Sequence, residues 1–205
     1  MNLNNNITVS FKYIESPVIS NANVFGLANA VRGSKFPMAV NVDNLTSDIT
    51  NTTKNLGSVA TGTGHDQYLT AIIAQFDLTF TVKAWTEAER YHFLDFISSQ
   101  STMHRIAKFD LEEQYNEYVD EEIVEIIKKL QRNYNETGSR GDYLKLLYSN
   151  PCGFKLTAAM TTNYRQLKTI YHQRKNHRLP EWQTFCEQLE QFPYFKELCL
   201  GKGDN

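Results

Sequence analysis

Cysteine is scarce in this sequence: three among 205 residues, Cys152, Cys186 and Cys199, with no C-x-x-C pair. That argues against a disulfide frame or a zinc ribbon and predicts reduced thiols in a cytosol. Long apolar runs are missing as well. No stretch approaches the roughly 18 residues that a membrane span requires. The first residues, MNLNNNITVSFKY, lack the basic-then-apolar order of a signal peptide. A soluble, cytoplasmic chain without a membrane partner is therefore expected. Neither sign of charge dominates, with 21 Lys and Arg against 23 Asp and Glu. That balance argues against a nucleic-acid partner and against a disordered acidic tail. The segment TGTGH has no G-x-x-x-x-G-K-[ST] order and is no phosphate-cradling loop. His172 and His177 have no carboxylate or cysteine at ligand spacing, which predicts no metal site.

What is present suits one domain over residues 1–205, long enough for a sizeable core. Residues 7–14, ITVSFKYI, alternate and predict a strand. SNANVFGLANAVRGS predicts a capped helix containing Val24, Leu27, Ala28, Ala30 and Val31. Residues 35–64 are rich in Asn, Thr, Ser and Gly and read as a long loop insertion. QFDLTFTVKAW sets Phe76, Leu78, Phe80 and Val82 against Asp77, Thr79, Thr81 and Lys83, the clearest strand in the chain. The spacing then predicts a helix over 86–98, with Thr86 and Glu89 as a capping box. A long amphipathic helix or helix pair is expected over 110–136, with eight acids between Asp110 and Glu125. A helix follows and stops at Pro151, then a strand-like GFKLTAAMTT, then helices near 162–176 and 180–191, the second opened by Pro180.

The most pointed stretch is TTNYRQLKTIYHQRKNHRLPEW, residues 161–182. It carries Arg165, Lys168, Arg174, Lys175 and Arg178 against one acid, Glu181. Two readings stand. Either this basic helix answers the acids of 110–125 within the fold, or an arginine from it meets an anion. Arginine suits the second role because its planar fork faces phosphate or a uracil edge with two parallel donors. Arg165 and Arg174 lie nine apart, about two and a half turns, and so point to different sides. Tyr164 and Tyr171 are expected to pack in the core or at a subunit interface. SSQSTMHR, residues 98–105, offers small hydroxyl and amide groups before His104 and Arg105. It is either a polar loop or the lining of an anion or base pocket. His104 alone more often marks a structural hydrogen bond, and His65 with Asp66 is placed to orient a loop over a ligand.

The order of these pieces resembles the flavin-dependent thymidylate synthase family. Asn163, Arg165, Leu167 and Arg174 are similar to its helix N-x-R-x-L-x-x-F-x-x-x-R, with Ile170 at the phenylalanine. VFGLANAVRGS resembles its early helix through Ala30 and Arg32, and LTFTVKA, residues 78–84, resembles the strand before its signature. The resemblance implies an α/β (α+β) fold, an antiparallel sheet flanked by helices, FAD as cofactor, dUMP as substrate, and a homotetramer with sites between subunits. It gives Arg174 and Asn163 to the nucleotide; the candidate set adds Arg105, Arg165, Ser98 and Gln100 for the nucleotide and His65 and His104 for a cofactor. RKNHRLPEW is also similar to members encoded by bacteriophages.

Departures reshape that expectation. The signature R-H-R-x-x-S-x-N-E-x-S-x-R-Y falls on residues 93–106, FLDFISSQSTMHRI, where only Ser98 and Arg105 match. Phe93, Leu94 and Asp95 replace R-H-R, removing charge-assisted hydrogen bonds worth roughly 1.5–3 kcal/mol each. Gln100-Ser101 replaces Asn-Glu, Met103 replaces a serine, and Leu147 stands at a nucleotide-binding arginine. The leading expectation is a pyrimidine-nucleotide binder with a remodelled site and without the usual flavin chemistry. An active FAD-dependent thymidylate synthase is the alternative, and a phage interaction protein acting on a host partner is the further one.

Overall fold

The computed structural model describes residues 3–60 and 62–201. Residue 61, within the 35–64 segment, and the residues at both ends lie outside it. Five strands, β1 (Asn6–Thr8), β2 (Ile19–Phe25), β3 (Ile73–Thr81), β4 (Asp95–Ser99) and β5 (Lys155–Asn163), form an open antiparallel sheet in the order β1-β2-β3-β5-β4. The helices are α1 (Leu27–Gly33), α2 (Asn51–Ser58), α3 (Val82–Ala88), α4 (Thr102–Arg105), α5 (Glu121–Thr137), α6 (Arg140–Ser149), α7 (Tyr164–Arg174), α8 (Pro180–Leu189) and α9 (Phe195–Cys199). The expected α/β class with an antiparallel sheet holds. The chain divides into two compact units. One takes the chain up to Leu78, Tyr91–Ile97 and everything from Ala159, and the other Thr79–Arg90 and Ser98–Ala158.

The first unit packs an aromatic core. Phe76 meets Phe185 and Phe192, Trp182 meets Tyr91 and Phe185, and Tyr164 meets Phe195 at centroid distances of 5.4–6.2 Å. Both tyrosines of α7 are core residues: Tyr164 donates to the Pro193 carbonyl and Tyr171 to the Glu190 carboxylate. Gln188, itself buried, imitates a strand edge. Its Oε1 accepts from the Val18 and Ile19 amides at 2.8 and 2.7 Å, and its Nε2 donates to the Ile19 carbonyl at 2.8 Å. The second unit clusters Ile106, Leu111, Tyr115, Ile127, Leu146 and Phe154.

Several sequence expectations are corrected. The strand expected over 7–14 is the short β1, and Val24 lies in β2, not in a helix. Gly26, at φ 79°, ends β2 and turns the chain into α1; a Cβ there would run into the Ala71 carbonyl. The 35–64 segment is not loop throughout. It holds α2, whose NTTKNLGS composition favours turns, and tertiary packing overrides that preference by burying Thr53 and Gly57. The helix expected over 86–98 begins earlier, capped by Thr81, whose hydroxyl accepts from the Ala84 amide at 3.2 Å. Residues 95–99 are strand β4, because a short apolar run does not distinguish strand from helix by period. The long helix starts only at Glu121. Residues 114–116 instead bond back to the segment around Phe154: the Lys155 amide donates to Gln114 at 2.7 Å and the Asn116 amide to Gly153 at 3.1 Å. Only glycine fits at 153, where a Cβ would overlap Val119.

The cysteines follow burial. Cys152 is exposed, whereas Cys186 and Cys199 are buried. Burial pushes the Cys186 thiol up to about 12 from its ordinary 9.0 and raises Cys199 well above that value too. A thiol reagent at neutral pH is therefore expected to titrate one cysteine in the folded protein and all three in denaturant. Both native thiols keep protons that the unfolded chain releases above about pH 9. Their contribution to stability is complete below that pH and is lost as pH climbs toward 12, which alkaline thermal melts check.

Candidate functional site

The eight candidate residues divide evenly. His65, Asn163, Arg165 and Arg174 belong to the first unit, and Ser98, Gln100, His104 and Arg105 to the second.

In the first unit, the basic helix α7 spends its donors inside the fold. Asn163 is its N-cap, with Oδ1 accepting from the Gln166 amide at 3.0 Å. Arg165 donates through Nε to Asp66 and through Nη1 to Gln67, both at 3.0 Å. Lys168 is 1% exposed, and its Nζ donates to Asp66 at 3.1 Å and to the carbonyls of Gly57 and Val59. An ammonium at the carboxyl end of α2 matches both the helix dipole and its unpaired carbonyls. Asp66 itself is fully buried. Arg165 and Lys168 thus answer Asp66, an acid outside the 110–125 run in which a partner was expected. Nothing in the sequence paired Lys168 with Asp66, which lie 102 positions apart.

Arg174 sits on the other side of α7, 7% exposed. Its guanidinium lies over the Trp182 ring at 4.9 Å and the Tyr91 ring at 5.4 Å, with Nε donating to the Tyr91 hydroxyl at 2.7 Å. Stacking on two rings suits a delocalised, weakly hydrated cation. Tyr91 donates in turn to Gln173 at 3.0 Å. His65 is exposed beside Asp66.

In the second unit the candidates follow one another along an exposed segment. Ser98 lies in the edge strand β4, all five of whose residues are exposed. Gln100 prolongs that strand: its amide donates to the Thr157 carbonyl and its Oε1 accepts from the Thr157 amide, each at 2.9 Å. His104 and Arg105 form the last turn of α4, both exposed. His104 opens onto a groove of about 280 Å³ lined also by Met103, Lys108, Tyr134, Asn135 and Tyr143. Tyr134 and Tyr143 were not singled out by sequence, since a tyrosine on an amphipathic helix reads as packing. At the positions of the missing R-H-R, Phe93 is 63% exposed, Leu94 is buried, and Asp95 is exposed on β4. No metal-ligating cluster is present among the described residues, and no helix among them is long and apolar enough to cross a membrane.

No family model matches the chain, and no curated protein does. Solved structures do match. The chain is similar to the flavin-dependent thymidylate synthase ThyX of Helicobacter pylori complexed with FAD and dUMP. That match has a TM-score of 0.68 and 16% identity, over 87% of this chain and 97% of that one. A second structure of the Helicobacter pylori enzyme with FAD and dUMP matches with a TM-score of 0.71 and 15% identity, over 92% and 98% of the two chains. At such identity the likeness establishes the fold: this chain has the fold of the flavin-dependent thymidylate synthases, in a divergent sequence.

Proposed function

We propose that this protein binds a pyrimidine nucleotide, dUMP or a close analogue, in a remodelled site on the thymidylate-synthase fold and without the usual flavin chemistry. The observation that carries the reading is the fold likeness, over nearly the whole length of both chains, to an enzyme holding FAD and dUMP. The second unit supplies solvent-facing groups for an anion, Arg105 and His104, beside Ser98 and Gln100.

At positions 93–95, where the resemblance would hold the cofactor, and on α7, the donor set does not fit a flavin dinucleotide. Its pyrophosphate needs cations or clustered amides. Positions 93–95 offer two apolar groups and an acid. Arg165 donates to Asp66 and Gln67, Arg174 is held by Tyr91 and Trp182, and Asn163 accepts from the Gln166 amide as the cap of α7. The exposed Phe93, Phe96 and Ile97 support self-association of the chain as a homotetramer, since apolar side chains grouped along an edge strand favour burial against a partner.

The test is the absorbance spectrum of the purified protein with and without added FAD, with thermal melts in FAD and in dUMP. A colourless protein is expected, unshifted by FAD and stabilised by dUMP, with about 2.7 kcal/mol gained at 100 times the Kd. A flavin spectrum that co-purifies, or melts indifferent to dUMP, would overturn the reading.

A further inference from the structure

The groove of the second unit carries more chemistry than the nucleotide reading uses. It lies between the segment from Met103 to Lys108, the last turn of α5 and the first turns of α6. Tyr134 and Tyr143 form one wall, their rings 5.5 Å apart and tilted by 54°. The Tyr143 hydroxyl is committed, donating to the Met103 carbonyl at 2.8 Å, so that ring is fixed. Asn135 is likewise tied, its Nδ2 donating to the Ala107 carbonyl at 3.3 Å. The two basic side chains of the lining, His104 and Lys108, are exposed. Aromatic faces receive a flat ring, and a neighbouring ammonium receives its anionic group. Size narrows the choice. At about 280 Å³ the groove lies just under the range of small-ligand pockets, so it suits the base and phosphate of one mononucleotide and not a dinucleotide.

Resting on the nucleotide reading, we infer that this groove is where the ligand sits: a mononucleotide base lies against Tyr134 and Tyr143, and its phosphate meets Lys108 and His104. The carboxyl end of α5 at Gly138, with its outward carbonyl dipoles, opposes an anion. The Lys108 ammonium and the His104 ring, both on the groove's lining, supply the donors that answer it. Specificity for the ring comes from the wall of two tyrosines, and affinity for the phosphate from the Lys108 ammonium with the His104 imidazole beside it.

The experiment is calorimetric titration of dUMP into the full chain and three variants. Lys108→Gln alters an exposed side chain and leaves the fold unperturbed, Tyr134→Leu removes a wall, and Lys12→Gln neutralises an exposed lysine of the first unit. Expected are weakenings of roughly tenfold or more for Lys108→Gln and Tyr134→Leu, and none for Lys12→Gln. Wild-type binding with Lys108→Gln within about twofold of it overturns the groove and leaves the nucleotide reading standing. No binding to the wild-type chain overturns both. Photolysis with 5-iodo-dUMP supplies a second readout. A label on the peptide carrying Tyr134 or Tyr143 supports the assignment, and a label on residues 163–174 rejects it.

Discussion

Asp66→Asn is expected to lower the melting temperature by about 10 °C, the consequence of stripping one partner from a buried ion pair at a cost of roughly 3–5 kcal/mol. The reason lies in who faces whom. Asp66 is fully buried and accepts from both Arg165 and Lys168, and Lys168 is 1% exposed. Without the carboxylate, the buried ammonium keeps only the carbonyls of Gly57 and Val59. Its charge then stands in low dielectric without a counter-ion, where Coulomb attraction no longer offsets lost hydration. Arg165, at 28% side-chain exposure, turns to water and loses less. The double variant Asp66→Asn with Lys168→Met removes the orphaned charge along with its partner. It is expected to be more stable than Asp66→Asn alone, which a double-mutant cycle measures. A melting temperature for Asp66→Asn within about 2 °C of wild type would show that the triad contributes little.

Gly57→Ala tests the same region through sterics alone. A Cβ at Gly57 would lie well inside contact with the Leu198 carbonyl and the Tyr68 hydroxyl. The first is backbone and cannot swing aside, so α2 must lift from α9 and strain the Lys168 bonds to Gly57 and Val59. Overpacking of this kind costs about 1–3 kcal/mol, and more where backbone is displaced. Gly141→Ala is the control. It sits on α6 with Ser139 Oγ, at 3.9 Å, as the nearest atom to a new Cβ. There the alanine is expected to stabilise the helix by about 0.5–1 kcal/mol. Chemical denaturation of both variants reads the contrast, and equal changes in the two would defeat the packing argument.

Sequence alone determined the strands and helices with strong periods. The alternation from Phe76 to Thr81 is β3, Pro180 opens α8, and the pattern of α7 starts at its Asn163 cap. Those signals are local, since a period of two or of three to four residues and a cap need no knowledge of distant neighbours. The likeness in Asn163, Arg165, Leu167 and Arg174 was legible for the same reason, and the fold it implied is the one the solved structures share. Tertiary structure decided the rest. α2 forms from residues that disfavour helix because Gly57 lets it approach Leu198 and Lys168 binds its carbonyl end. Residues 95–99 are strand because β5 lies beside them, a neighbour some sixty positions away. The two rings under Arg174, Tyr91 and Trp182, lie 83 and eight positions distant, and only the fold sets them there. A charge can be counted from sequence. Whether it faces water, a ligand or a buried partner depends on long-range contacts that close only when the chain folds.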